Sequence, residues 1–401
     1  MARHAHVARQ PIYDRRLEVV GYELLFRDQG GTAFDADPDA ATSSVVLEIL
    51  STLGLERLVG SSRAHVNVTR AFLLEADVAA VPGARIVLEI PPDARVDTRL
   101  VHRLKTLKSQ GFTVALDNFT DEPSRRPLLP LADLVKIDLL GADSRVVGAA
   151  MRMLAAHPCR LVASRIENYD VLEEARGLGF DFFQGHFFAM PKPVKDSEIP
   201  AAHVERLRVI ARLEAPDVGF DQLREIISQD VGLSYRFLRY VNTAFFSLRR
   251  KVSSVQEALA LLGEQSVKRW ITLVVLAGID GKPHELLVTA LVRAKTCELL
   301  AATDDPRERE ALFTTGLFSV VDAMMDAPMR DVIAWLPFSG PLADGLVERT
   351  GPYGAVLGQV LAHERGERVP AGAAAGASAG RVGHAYLDAV AWANEAGREL
   401  R

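Results

Sequence analysis

The chain has 401 residues, 48% of them hydrophobic and 25% charged, which is the balance of an ordinary globular protein with two or three domains and excludes a disordered chain, a collagen and a disulfide scaffold. The formal net charge of −5 argues against a general nucleic-acid or anionic-membrane binder but leaves room for a small basic pocket. Only two cysteines occur, Cys159 and Cys297, so a thiolate zinc site is not expected.

The N-terminal residues contain no apolar segment of the kind that a signal peptide needs. The longest apolar run, residues 270–279, is about half the length of a membrane span. The two cysteines are far apart in the chain and favour a reducing compartment. We therefore predict a cytoplasmic protein that binds neither DNA nor a membrane.

The first two hundred residues alternate short β-branched runs with helical patterns. Five runs read as strands: residues 85–90, 112–118, 134–138, 160–164 and 182–185. Helical patterns lie between them, over residues 99–110 and 170–177. Repeated strand–helix units predict a parallel sheet with crossover helices.

Each apolar run in this half ends on a polar or charged residue. In chain order these residues are Asn67, Glu89, Asp117, Lys136, Ser164 and Gln184. Successive members are 19 to 28 residues apart, about one strand–helix unit. In a closed (β/α) barrel the carboxyl ends of all strands converge on one face, where ligands bind. The spacing favours such a barrel, and the alternative is a doubly wound open sheet.

Eight short motifs lie in order over about residues 5–195. One of them, Glu23-Leu24-Leu25-Phe26-Arg27, resembles the ExLxR signature of EAL domains, the cyclic di-GMP phosphodiesterases. The other seven resemble further motifs of that family and are, in chain order, Gln10-Pro11-Ile12, Val66-Asn67-Val68, Leu88-Glu89-Ile90, Asp117-Asn118-Phe119 (family DDF), Val135-Lys136-Ile137-Asp138 (KID), Ala163-Ser164-Arg165-Ile166-Glu167 (AEGVE) and Gln184-Gly185-His186 (QGY). Each motif is weak alone, but eight in order are strong evidence.

The resemblance implies a role for individual residues. It assigns metal ligation to Glu23, Asn67, Glu89 and Asp117. It assigns the positioning of the attacking water to Lys136. It assigns ligand contacts to Gln10, Leu25, Arg27, Asp138, Gln184 and Pro191. Hydrolysis of a phosphodiester calls for two hard cations such as Mg²⁺ or Mn²⁺, which want carboxylate oxygens.

Two acidic positions of that set are substituted. Asn118 stands at the second Asp of DDF, and Ser164 stands at the first Glu of AEGVE. An amide or hydroxyl oxygen does not bridge two cations as a carboxylate does. The loop after Phe119 departs from the family as well. We therefore predict an incomplete metal site, a vestigial Lys136 and a catalytically degenerate domain. The protein is expected to require no cofactor.

Three functional hypotheses remain open. In the first, the chain is a signal-transduction regulator without catalysis, whose barrel acts as a cyclic di-GMP sensor or a protein-interaction scaffold and whose HDOD-like half is the output module. Arg27 would then contact a ligand phosphate, and the alternative for Arg27 is a salt bridge with Glu23. In the second, the domain is a slow phosphodiesterase that uses one Mg²⁺ or Mn²⁺. In the third, both domains are adaptors that bind neither nucleotide nor metal.

The second half of the sequence reads as nearly all α. Asp221 is expected to cap one helix and Ser254 another. The motifs over residues 226–234, 239–244 and 254–263 resemble those of the HD-related output domain, HDOD. No His-Asp dipeptide occurs, so a catalytic HD metal site is not expected. The resemblance implies protein partners for this domain.

The predicted architecture is α/β plus all-α, an EAL-type TIM-like barrel followed by a helical HDOD domain. Residues 1–195 form the barrel and 196–370 the helical domain. An Ala/Gly-rich linker covers 371–383, and a C-terminal helix covers 384–401. That helix is expected to pack on one of the domains, with docking on a partner as the alternative. Whether the chain forms a homodimer stays open.

Overall fold

The computed structural model describes residues 6–27, 54–75, 81–192, 199, 201–248, 250–279, 281–338, 340–367 and 378–400. These residues divide into two compact units. The first contains the described residues up to Phe188, together with those in Leu361–Pro370 and Ala377–Leu387. The second contains those in Ala189–Val360 and Asp388–Arg401.

Eight strands in the first unit close into a barrel in chain order. They are β1 His6–Tyr13, β2 Val19–Arg27, β3 Arg63–Asn67, β4 Ile86–Ile90, β5 Thr113–Leu116, β6 Leu134–Asp138, β7 Arg160–Ile166 and β8 Phe182–Gly185. Strands β2 to β8 pair in parallel, as the sequence predicts. β1 differs, because it lies antiparallel to both β2 and β8. The predicted barrel is confirmed, and the open sheet is excluded.

Five helices are described among the barrel strands: α1 Leu55–Val59, α2 Arg70–Glu75, α3 Thr98–Ser109, α4 Ser144–Leu154 and α5 Tyr169–Leu178. Three of them begin at an Asp or Asn whose side chain accepts a hydrogen bond from the first turn: Asp97, Asp143 and Asn168. Inside the barrel, one apolar cluster consists of Ile12, Val87, Ala115, Leu134, Val162 and Phe182. These side chains alternate with outward-facing ones, which fixes which strand residues reach the barrel axis.

The described residues after 200 contain helices and no strand. The helices are α6 Ala201–Glu214, α7 Phe220–Gln229, α8 Val231–Val241, α9 Val255–Leu262, α10 Glu264–Ala277, α11 His284–Leu299, α12 Pro306–Phe318, α13 Val321–Met325, α14 Met329–Ile333, α15 Pro341–Val347, α16 Gly351–Glu364 and α17 Ala379–Arg398. The all-α second half is therefore confirmed. No described helix is long and apolar enough to cross a membrane.

The two predicted helix caps have different outcomes. Ser254 caps α9, because its Oγ accepts a hydrogen bond from the Glu257 amide at 3.1 Å. The cap predicted at Asp221 is wrong. α7 begins two residues earlier, after Gly219, whose amide donates to Gln222 Oε1 at 3.1 Å. Asp221 therefore lies in the first turn of α7, where a carboxylate favours the positive end of the helix dipole.

The C-terminal helix also starts earlier than predicted. α17 begins at Ala379 rather than at residue 384. Most of the predicted linker, residues 371–377, lies outside the described residues. Residues 361–367, which the sequence analysis places in the helical domain, belong to the barrel unit. One reason is His363, whose Nε2 lies 3.2 Å from the Val7 carbonyl oxygen and whose ring packs against Tyr386 at a centroid distance of 4.8 Å.

An aromatic cluster forms part of the core of the second unit. Trp392 of α17 packs against Trp270 of α10, with ring centroids 5.8 Å apart, and against Phe245 at 6.1 Å. Tyr240 of α8 lies 5.0 Å from Trp270. The C-terminal half of α17 therefore belongs to the core of this unit, as the prediction that it packs on a domain requires.

Candidate functional site

Five predicted site residues lie on, or directly after, five consecutive parallel strands. Glu23 is on β2, Asn67 ends β3, Glu89 is on β4, Asp117 follows β5, and Lys136 is on β6. Because these strands run in the same direction, their carboxyl ends meet at one mouth of the barrel. The sequence therefore places one polar side chain from each strand at this mouth.

The Lys136 ammonium lies at the centre of this group. Its Nζ donates to Glu23 Oε2 at 2.7 Å and to Glu89 Oε2 at 2.9 Å. It lies 3.5 Å from Asp117 Oδ1. The Lys136 side chain is only 3% exposed, so carboxylates rather than water surround its ammonium group. We call Glu23, Glu89, Asp117 and Lys136 the mouth cluster.

Neighbouring amides and a histidine orient the carboxylates of the mouth cluster. Asn67 Nδ2 donates to Glu23 Oε1 at 2.6 Å, and Gln184 Nε2 donates to Glu23 Oε2 at 2.7 Å. Gln184 also donates to Gln10 Oε1 at 2.8 Å. His65 Nδ1 lies 2.9 Å from Glu89 Oε1. Each oxygen of Glu23 and Glu89 therefore has a partner.

His65 is a residue of the site that the sequence motifs do not identify. The signal was available, because His65 and Asn67 are two residues apart on β3 and point to the same face of the strand. A second missed residue is Arg125, which is 2% exposed. It donates to the carbonyls of Asp117 at 3.1 Å and Ile90 at 3.2 Å and so fixes the loop that carries Asp117.

Burial and mutual attraction act in opposite directions on the ionisation of the cluster. Burial alone would lower the pKa of Lys136, but attraction by Glu23 and Glu89 outweighs it and raises the pKa, so the ammonium stays charged. Burial would raise the pKa of Glu89, but Lys136 and the His65 hydrogen bond lower it to about 2. Burial and repulsion by the other two carboxylates raise the pKa of Asp117, despite Lys136. The cluster therefore holds an excess of negative charge.

Glu89 is expected to make the barrel sensitive to acid in the absence of divalent cations. Its pKa falls from 4.5 to about 2 on folding, which corresponds to about 3 kcal/mol of stability at neutral pH. Because the folded pKa is lowered, this contribution is complete above about pH 5 and is lost as the pH falls toward 2. Asp117, whose pKa is raised, has the opposite sign.

Hydrogen exchange of β4 peptides in urea and EDTA, measured from about pH 6 to pH 3, tests this expectation. The control is Glu89→Gln, which removes the titrating group and keeps its size. We expect β4 protection to fall more steeply with acid in the wild type than in the variant. Equal slopes would contradict the role of Glu89.

The two substituted positions supply no carboxylate. Ser164 Oγ donates to the Ile137 carbonyl at 3.2 Å, so this hydroxyl is engaged with the backbone of the neighbouring strand. Asn118 has a positive φ of 39°, a conformation that Asn adopts more readily than most residues. Both lie at strand ends near the mouth, as the sequence predicts, but neither adds negative charge.

The remaining predicted ligand contacts have mixed outcomes. Asp138 ends β6 and accepts hydrogen bonds from Arg165 at 2.7 Å and from the Leu140 amide at 2.8 Å. Leu25 and Pro191 are half-buried. The side chain of Arg27 lies outside the described residues, so its proposed pairing with Glu23 stays a prediction.

The donor set suits one hard cation better than two. Glu23, Asn67, Glu89 and Asp117 present oxygen ligands, which Mg²⁺ and Mn²⁺ prefer. With its one ammonium, the mouth cluster carries a formal charge of −2, which matches one dication. Lys136 lies between the carboxylates in this structure. Among the described residues, no group of three or more His, Cys, Asp or Glu side chains has the arrangement of a metal site. Positions 118 and 164 add no carboxylate that could neutralise a second cation.

A closed barrel with this order of polar strand ends, followed by an all-α unit, defines an EAL domain joined to an HDOD domain. Family models agree: the EAL domain matches residues 62–191, and the HDOD domain matches residues 199–325. The chain belongs to the family of EAL–HDOD proteins.

Two relatives are similar to this chain over most of their length. The chain is 33% identical over 358 residues to the cyclic di-GMP phosphodiesterase CdgJ of Vibrio cholerae serotype O1, covering 88% of this chain and 83% of CdgJ. It is 28% identical over 361 residues to the uncharacterized protein YuxH of Bacillus subtilis, covering 88% of each. Among solved structures, a standalone EAL protein of Vibrio cholerae O395 in its c-di-GMP bound form matches with 21% identity and a TM-score of 0.39, covering 48% of this chain and 94% of that one.

Proposed function

We propose that this chain is a cytoplasmic signalling protein whose EAL barrel binds cyclic di-GMP with one Mg²⁺ or Mn²⁺ and does not cleave it efficiently. The HDOD unit would transmit the bound state to a protein partner. The observation that carries the proposal is the mouth cluster, which gathers three carboxylates around Lys136. Positions 118 and 164 leave that cluster with charge for one dication only.

The residues at the mouth of the barrel would have different roles in binding. Glu23, Asn67, Glu89 and Asp117 would hold the cation, which supplies positive charge for a ligand phosphate. Gln184 Oε1 is buried and has no hydrogen-bond partner among the described residues, so it offers an acceptor to the ligand. Lys136 attracts the three carboxylates and holds them close together. Efficient cleavage would require a second cation to stabilise the developing charge.

A slow phosphodiesterase is the second candidate. It is favoured by the complete set of Glu23, Asn67, Glu89 and Asp117, and by the name of the relative CdgJ. In this case one cation and Lys136 would suffice for occasional turnover. The two candidates differ in the fate of the nucleotide, since both require binding.

Calorimetric titration of cyclic di-GMP into the full chain, in Mg²⁺ and in EDTA, followed by chromatography of the mixture, tests both candidates. We expect saturable binding with intact nucleotide. Asp117→Asn is expected to weaken binding in Mg²⁺ by about 10-fold or more, because it removes a cation ligand. Glu174→Gln, an exposed change on α5, is the control. Linear dinucleotide would support the phosphodiesterase, and absence of both heat and product would contradict both candidates.

A further inference from the structure

Arg165 occupies a position where an arginine is structurally unfavourable. In the AEGVE motif this is the position of the glycine, and Arg165 keeps the glycine-like backbone with φ 58°. A left-handed conformation costs a residue with a side chain of order 1 kcal/mol. Strain of this kind persists where the surrounding structure enforces it, and it is concentrated at functional sites.

A bulge in β7 enforces this conformation. Ala163 pairs with Phe183, and Ile166 pairs with Gly185, so β7 uses one residue more than β8 over the same interval. Gly185 makes the bulge sterically accessible, because a Cβ atom at that position would lie 1.9 Å from the Ile166 carbonyl oxygen. Bulges at barrel rims change the direction of a side chain. Here the bulge contains Ser164 and Arg165.

The Arg165 side chain lies on the same mouth as the cluster. Its Nη1 donates to Asp138 Oδ2 at 2.7 Å. Asp138 and Lys136 are two residues apart on β6 and face the same side, with Asp138 nearer the open end of the barrel. The side chain of Arg165 is 61% exposed, so the guanidinium is accessible to a ligand that enters the mouth.

The guanidinium retains donor capacity after this pairing. It has five N–H groups, and among the described residues its recorded hydrogen bond is the single one to Asp138. Asp138 in turn orients the planar group, and the guanidinium neutralises the Asp138 carboxylate, which would otherwise repel an anion. Planar guanidinium donors bind phosphate oxygens in pairs.

We infer that Arg165 is a phosphate-binding residue of this barrel. Its guanidinium would take the place of a second cation in contacting a ligand phosphate. At adjacent positions 164 and 165 the chain exchanges a carboxylate and a glycine for a hydroxyl and a cation. The same two changes that remove a cation ligand therefore add a fixed positive charge. The inference rests on the proposed binding of cyclic di-GMP.

The test compares Arg165→Gly with the wild type by calorimetric titration of cyclic di-GMP, in Mg²⁺ and in EDTA. Gly suits the left-handed backbone, so the variant is expected to fold with an unfolding midpoint within about 3 °C of the wild type. We expect its affinity to be about 10- to 100-fold weaker under each condition in which the wild type binds. Arg165→Lys, which keeps the charge but not the paired donors, is expected to be intermediate.

Arg145→Ala, an exposed change at the start of α4, controls for the loss of one positive charge and should leave the affinity within about 2-fold. If Arg165→Gly binds as tightly as the wild type, the inference is wrong and the proposed function stands. If the wild type binds no cyclic di-GMP under either condition, the proposed function fails and the inference fails with it.

Discussion

A variant that carries both Asn118→Asp and Ser164→Glu is expected to hydrolyse cyclic di-GMP at least about 100-fold faster than the wild type in Mg²⁺ or Mn²⁺. The two carboxylates would change the formal charge at the mouth from −2 to −4. That charge matches two dications: position 118 follows Asp117 directly, and position 164 on β7 pairs with Asp138 of β6. The second cation would then stabilise the charge that develops as the phosphodiester breaks.

Arg165 is expected to limit the gain in the double variant. A glutamate at position 164 would be next to the guanidinium, which competes with a cation for the new carboxylate. Adding Arg165→Gly removes this competitor and restores the residue of the AEGVE motif. We therefore expect the triple variant to be faster than the double variant, and Asn118→Asp alone to be slower than both.

The rate of linear dinucleotide formation, measured by chromatography, decides this prediction. The matched control is Asn118→Asp with Ser164→Gln, which has nearly the size of the double variant and one carboxylate fewer. Equal rates for the wild type and the double variant at saturating cyclic di-GMP would show that the missing carboxylates do not limit turnover. The proposal of an inefficient barrel would then be wrong.

Lys136→Met is expected to destabilise the barrel by about 3–5 kcal/mol in EDTA at neutral pH. The change leaves the Glu89 carboxylate fully buried beside Glu23 and Asp117 without the ammonium that attracts all three. Methionine retains much of the length of the side chain, so the loss reflects charge rather than a large cavity. The proteins are compared by hydrogen exchange of β4 and β6 peptides in urea.

The same variant tests whether the mouth holds a cation. Mg²⁺ or Mn²⁺ should recover more stability in Lys136→Met than in the wild type, because a dication replaces the missing positive charge. Lys108→Met is the control, since its ion pair with Asp133 is one-third exposed and is worth about 1 kcal/mol or less. Unchanged stability of Lys136→Met in EDTA would mean that the carboxylates do not depend on the lysine.

The barrel and its functional edge were predictable because they follow from local periodicity. Alternating strand and helix patterns indicate parallel strands, and parallel strands bring their carboxyl ends together. The contacts themselves were not predictable. Glu23 and Lys136 are 113 positions apart, and nothing in the spacing shows that the ammonium lies between carboxylates. The antiparallel pairing of β1 is equally a property of the closed barrel rather than of the strand sequence.

Errors in the helical half arose at boundaries. Ser254 was found as a cap because the capping interaction involves residues three apart. Asp221 was misplaced because an Asp is favourable both at a cap and in the first turn that follows it. α17 starts within the predicted linker. A composition rich in Ala and Gly suggests a flexible linker, but these residues are also tolerated in a helix that packs against other elements.

The aromatic core of the second unit has an optical consequence. All three tryptophans of the chain, Trp270, Trp335 and Trp392, belong to the helical unit, and the barrel unit has none. Tryptophan fluorescence therefore reports on the helical unit alone. If nucleotide added to the barrel changes that emission, the change reports transmission of the signal from one unit to the other, without a dye or a label.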